Sequence, residues 1–206
     1  MLNTSKTMLL LAMLSMAMPS WAQETTTTEP AADEAPVDPA TDLNMGEPVE
    51  GGEPAIGEPY IREEFGDWAL RCLRAADGAD PCQLYQLLLD DAGNPVAEIS
   101  MFPLPEGSRA AAGATLVVPL ETLLTEQATL SVDGSTPRRY PFTFCNPAGC
   151  VARVGFTAEE VQQFKAGNAA TLTIVPAAAP DQVVTLQISL VGFTAGFDGT
   201  EPITVQ

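Results

Sequence analysis

Cys145 and Cys150 enclose Asn146-Pro147-Ala148-Gly149, Cys72 and Cys82 enclose nine residues, and the chain has no histidine. Four thiolates are enough for a tetrahedral zinc set. Zinc knuckles usually separate paired cysteines by two residues, and neither gap here is two. A thioredoxin-type redox pair needs C-x-x-C, which is also absent. In an exported chain an even number of cysteines otherwise means disulfides, because no thiol pool outside the cytosol keeps them reduced. The four read as staples. Asn-Pro-Ala-Gly is turn chemistry that brings Cys145 and Cys150 face to face at a hairpin end. Asp77-Gly78 and Pro81 do the same between Cys72 and Cys82. The expected bonds are Cys72–Cys82 and Cys145–Cys150.

Little else has the residues for chemistry. Without histidine, a serine or cysteine nucleophile lacks its usual base, and the commonest metal ligand is missing. No G-x-S-x-G, phosphate-binding Gly-Lys loop or H-E-x-x-H occurs. Two carboxylates facing a cleft would suffice for glycoside hydrolysis, and Asp90-Asp91 and Glu159-Glu160 are adjacent pairs. The first pair precedes a turn and the second opens a helix, where acids favour the dipole. Both read as structural. Ser131 to Gly134 reads as a hairpin turn, and Trp68 as core. Arg138-Arg139 reads as edge protection and solubility. No catalytic, cofactor-binding or metal-ligating residue is assigned.

The elements that carry these residues follow a leader and a spacer. Met1 to Ala22 has one basic residue (Lys6), an apolar run from Met8 to Met18, and Ser20-Trp21-Ala22. That is the pattern of a secretory signal peptide, too short to span a bilayer, which takes roughly 20 apolar residues. Residues 23–64 hold twelve acids, one base and six prolines, a composition that resists collapse. They read as a disordered acidic tether, with a domain over 65–206. A chain beginning at Phe65 should then fold as stably as the mature one. The mature chain is expected to have no transmembrane segment. The expected compartment is the periplasm, with outer-membrane association or secretion as the other destinations. A net charge of −18 argues against nucleic acid.

From Phe65 apolar and polar residues alternate. Trp68, Leu70 and Cys72 share a face, as do Tyr140, Phe142 and Phe144, and Val184, Leu186, Ile188 and Leu190. Short period-two segments split by turn residues predict a mostly β fold: an antiparallel β-sandwich or small barrel. One short helix is expected in Thr157-Ala-Glu-Glu160, a capping box, with Gly167 as its stop. Pro119-Leu-Glu-Thr-Leu-Leu suggests a further helical turn.

The order of features adds a resemblance. F-G-D-W-x-L-R-C from Phe65 leads to a second cysteine, D-x-x-G-N-P and V-V-P-L. A strand ending in D-G follows, then P-F-x-x-C-x-x-x-G-C-V-A and, after the helix, L-Q-I-S-L-V-G-F-T-A-G-F-D. This resembles the invasion-associated locus B family from about Phe65 to Asp198. The resemblance implies an exported bacterial β-domain linked to host-cell entry, with no defined catalytic residues. The expected function is therefore a non-enzymatic envelope or surface binding module whose partner is an envelope or host protein. A carboxylate-based hydrolase of envelope polymers and an accessory subunit of an envelope complex are the alternatives.

Overall fold

Alternation in the sequence becomes two antiparallel sheets. The computed structural model describes residue 46 and residues 52–203. The expected signal peptide, and residues 23–45 and 47–51 of the expected tether, lie outside them. The strands are β1 Pro59–Phe65, β2 Trp68–Leu73, β3 Cys82–Leu89, β4 Pro95–Pro103, β5 Ala112–Val118, β6 Ala128–Val132, β7 Arg138–Tyr140, β8 Phe142–Asn146, β9 Gly149–Phe156, β10 Ala169–Ile174 and β11 Val184–Ser189. One sheet runs β1-β2-β3-β4-β5-β9-β8 and the other β11-β10-β6-β7. Neither closes on itself, so the architecture is a sandwich and not a barrel.

The core lies between the sheets. Leu84, Ile99, Met101 and Leu116 from the larger sheet meet Leu172, Leu186 and Ile188 from the smaller, all fully buried in one cluster. A run of rings closes one side. Trp68 meets Phe193, Phe193 meets Phe164, Phe164 meets Phe156 and Phe156 meets Tyr140, with centroids 5.3, 5.5, 5.1 and 6.1 Å apart. Edge and tilted contacts of this kind add about 0.5–1.5 kcal/mol each beyond area burial. The Trp68 indole donates to the Ser189 carbonyl at 2.7 Å. Beside it the buried Gln86 amide donates to the carbonyls of Asp67 and Ser189 and accepts from the Ser189 N–H. One side chain thus ties the β1–β2 turn and β3 to β11.

Helix α1 spans Ala158–Ala166. Thr157 accepts from the Glu160 N–H while Glu160 accepts from the Thr157 N–H, the reciprocal capping box. The expected turn after Pro119 is a single 3-10 turn, Leu124–Glu126.

Three features depart from the sequence reading. The first strand begins at Pro59, so residues 59–64 are sheet and not tether. Their charges hid them: Arg62, Glu63 and Glu64 are exposed on an edge strand, where charge discourages further pairing. Tyr60 and Phe65 still pack inward on Leu70, Cys72 and Cys82.

Secondly, a short helix α2, Phe193–Asp198, follows β11. Gly192 masks its start. It takes a positive φ of 86°, and a Cβ there would meet the Phe65 carbonyl oxygen at 1.9 Å.

Thirdly, Arg138 to Cys145 is not one strand. Pro141, with no N–H to give to a ladder, marks where the chain crosses from the smaller sheet (β7) to the larger (β8). A register shift between Phe142 and Phe144 then breaks the alternation. Tyr140 and Phe142 pack on the core, whereas Phe144 is 43% exposed.

Candidate binding face

The larger sheet turns its second face away from the core, and pairing sets that face in rows. Ala69, Tyr85, Ser100, Thr115 and Arg153 are cross-strand neighbours in succession, and Phe102, Gly113 and Gly155 form the row beside them. Half of this face is locked. The Arg71 guanidinium lies 3.8 Å from the Tyr85 ring centroid, pairs with Glu98 at 3.3 Å and donates to the Ser100 hydroxyl. Burial, then the Glu98 carboxylate, pushes the Tyr85 hydroxyl above its ordinary value.

The other half is open. A groove of about 720 Å³ runs over β4, β5 and β9, within the usual range for ligand clefts of ~300–1,000 Å³. Phe102, Leu104 and Ile203 form its apolar wall, Thr115 adds a hydroxyl, and Arg109 and Arg153 bring two guanidiniums. The floor depends on missing side chains. A Cβ on Gly113 would stand 2.6 Å from the Phe102 ring, so glycine lets that ring lie down across β5. Neighbouring Gly155 is exposed. Arg153 also sits 5.7 Å from the Phe144 ring that the β8 bulge turned outward.

The residues singled out from sequence lie elsewhere; Asp91, Glu159 and Arg139 are exposed, and the others are otherwise engaged. Cys72 is bonded to Cys82 and Cys145 to Cys150, each pair in register across neighbouring strands with Cα atoms 4.0 Å apart. The Asp90 carboxylate accepts from Asn94 and the Ala92 N–H, which closes its turn and holds its carboxyl below the usual range, Asn94 contributing most. Glu160 combines its capping role with an Arg138 ion pair at 2.9 Å. That pair gives Arg138, on the edge strand β7, a bond beyond edge protection. Asp133 takes a positive φ in the turn after β6 and accepts from the Asn168 and Ala169 N–H groups. Those bonds, Ala169 first, lower its carboxyl. Trp68 is core, 1% exposed.

The groove residues were missed from sequence. Arg153 and Thr115 look like ordinary outward positions in alternating strands. The available signal was Gly113 and Gly155 inside strand patterns, where glycine marks a close approach. Among the described residues, no group of three or more Cys, Asp or Glu is placed to hold a metal ion, and no helix is long and apolar enough to cross a membrane.

Comparison with known proteins gives concordant results. The family model described as Invasion associated locus B (IalB) protein matches residues 68–201. Invasion protein B homologues of Brucella abortus strain 2308 and of its biovar 1 strain 9-941 are each 27% identical over 148 residues, 72% of this chain and 83% of the relative. The crystal structure of invasion associated protein B from Bartonella henselae has the same fold. Its TM-score is 0.57 at 24% identity, covering 66% of this chain and 92% of that one.

Proposed function

The chain belongs to the invasion-associated locus B family, and on that premise we propose that it is an exported, non-enzymatic binding module of the bacterial envelope. The observation that carries this reading is the open half of the outer sheet face, where apolar wall, hydroxyl and guanidinium groups converge in one groove. Two disulfides support an oxidising compartment, and the signal-peptide pattern of residues 1–22 supports export to the periplasm or beyond. The partner is an envelope protein. Host-cell contact, suggested by the relatives' names, is a second setting for the same face.

The hydrolase alternative draws no support from the carboxylate pairs, because Asp90 and Glu160 are spent on a turn and a cap. Replacing Asp90, Asp91, Glu159 and Glu160 by amides should leave cellular function intact apart from a small loss at the α1 cap. The direct test is cross-linking of the native protein in intact cells, with partner identification. A fixed partner captured at constant ratio is the expected result. Recovery of the monomer alone, together with loss of function in a single amide variant of unchanged stability, would favour the hydrolase.

A further inference from the structure

We infer that the groove over β4, β5 and β9 binds a short acidic peptide segment of a partner protein, with Arg109 and Arg153 taking its carboxylates and Phe102 and Ile203 its apolar side chains. This rests on the binding-module reading and gives it a ligand chemistry.

Charge distinguishes this groove from the rest of the surface. The chain has 27 acidic residues against nine basic, yet no Asp or Glu lines the groove. Arg62, Arg71, Arg74 and Arg138 each stand within 4.0 Å of a carboxylate. Arg109, Arg139 and Arg153 form no such pair among the described residues, and two of those three face this one groove. Glu106 shares a loop with Arg109 and lines the adjoining hollow without pairing to it. A guanidinium presents a planar fork that a carboxylate meets with two parallel hydrogen bonds. Two such forks beside an aromatic wall suit an extended segment that alternates acidic and apolar residues.

The size of the anion follows from the rest of the surface. A net charge of −18 repels an extended polyanion such as a nucleic acid or an anionic bilayer. A segment with two or three carboxylates meets mainly the local arginines, because screening confines the wider field to roughly 8 Å at physiological salt.

The probe is a capped hexapeptide alternating glutamate and phenylalanine, compared with its glutamine–phenylalanine counterpart, titrated into the full mature protein and followed by amide resonances. The glutamate peptide should shift Gly113, Thr115 and Gly155 and bind at least tenfold more tightly than the glutamine peptide. Arg109→Gln and Arg153→Gln should each weaken it about tenfold. Arg139→Gln removes an equally unpaired charge outside the groove and should change nothing. Equal binding of the two peptides, an equal effect of all three substitutions, or preference for phosphatidylglycerol vesicles would overturn the inference. In intact cells, photo-cross-links to a fixed partner from other surfaces but none from Thr115 would overturn the groove while keeping the binding module. Absence of any fixed partner would remove both.

Discussion

Asp80 shows how much one carboxylate can organise. Its side chain is 3% exposed, and it accepts from the Tyr60 hydroxyl at 2.6 Å, the Ala75 N–H at 2.7 Å and Arg74 at 3.2 Å. The Ala75 amide first, then Tyr60, hold its carboxyl below the usual range, with Arg74 and Arg62 adding attraction. A folded pKa lower than the unfolded value, about 3.9, contributes stability that is fully present above that value and lost as pH falls through the folded one. Asp80→Asn should therefore lower the thermal midpoint at pH 7, with the deficit shrinking steadily below about pH 4. An equal deficit at pH 7 and pH 2 would refute this account. Gln86 is the polar counterpart inside the core. Gln86→Leu leaves the Ser189 N–H without its partner, which should cost about 1–3 kcal/mol in denaturant unfolding. Neither role is legible in the sequence: Gln86 and Ser189 are 103 residues apart, and the nearer partners of Asp80 meet it only once the chain between β2 and β3 has folded back beside Tyr60.

Elements with local signals were legible. The capping box at Thr157 and Glu160 marked α1, and Leu186 and Ile188, alternating with exposed Thr185 and Gln187, marked β11. Thr157→Ala should cost about 0.5–2 kcal/mol, read as a lower midpoint with the β signal retained. Elements defined by what they pair with were not legible. In β1 five of seven residues are exposed, so its composition imitates a spacer until the β2 ladder is known. The corner at Pro141 and the bulge before Phe144 likewise arise from two sheets competing for one segment. A chain beginning at Phe65 should therefore be less stable than the mature protein, contrary to the sequence-based expectation. It loses the Tyr60 contacts and the pairing of Pro59 through Glu64 with β2. Uncovering a large apolar side chain costs up to ~1.5–3 kcal/mol. A chain beginning at Gly52 keeps all of these, and unchanged midpoints for both cuts would restore the boundary at Phe65.

For the whole molecule, the two faces of the larger sheet have different duties. The inner face, with Leu84, Ile99 and Leu116, holds the smaller sheet. The outer face leaves Leu87, Leu89 and Phe144 43–47% exposed, Phe144 next to Arg153 of the groove and the two leucines towards the far end of β4. The alternating pattern announced the first duty plainly. The second, binding on the reading proposed above, was hidden because a binding surface needs no periodicity of its own, only the side chains that an ordinary sheet happens to turn outward. Alternation implied a sandwich or barrel and the family resemblance a β-domain, whereas the meeting of Arg109 and Arg153 in one groove depends on strand pairing and a loop that neither reveals.

The position of β1 also determines how the domain answers tension. A pull at Gly52 loads an edge strand at the end away from its turn, so its bonds to β2 break singly and in order, as in a zipper. β2 then opens from Trp68 towards Cys72, where the bond to Cys82 hands the load straight to β3. Residues 73–81 are bypassed and stay slack. In single-molecule extension, reductant should release that hidden length, roughly 30 Å at ~3.3–3.6 Å per residue. Identical contour lengths with and without reductant would show that the loop bears load in both states. The first strand is the compliant element of the domain, and the staple behind it is a stop.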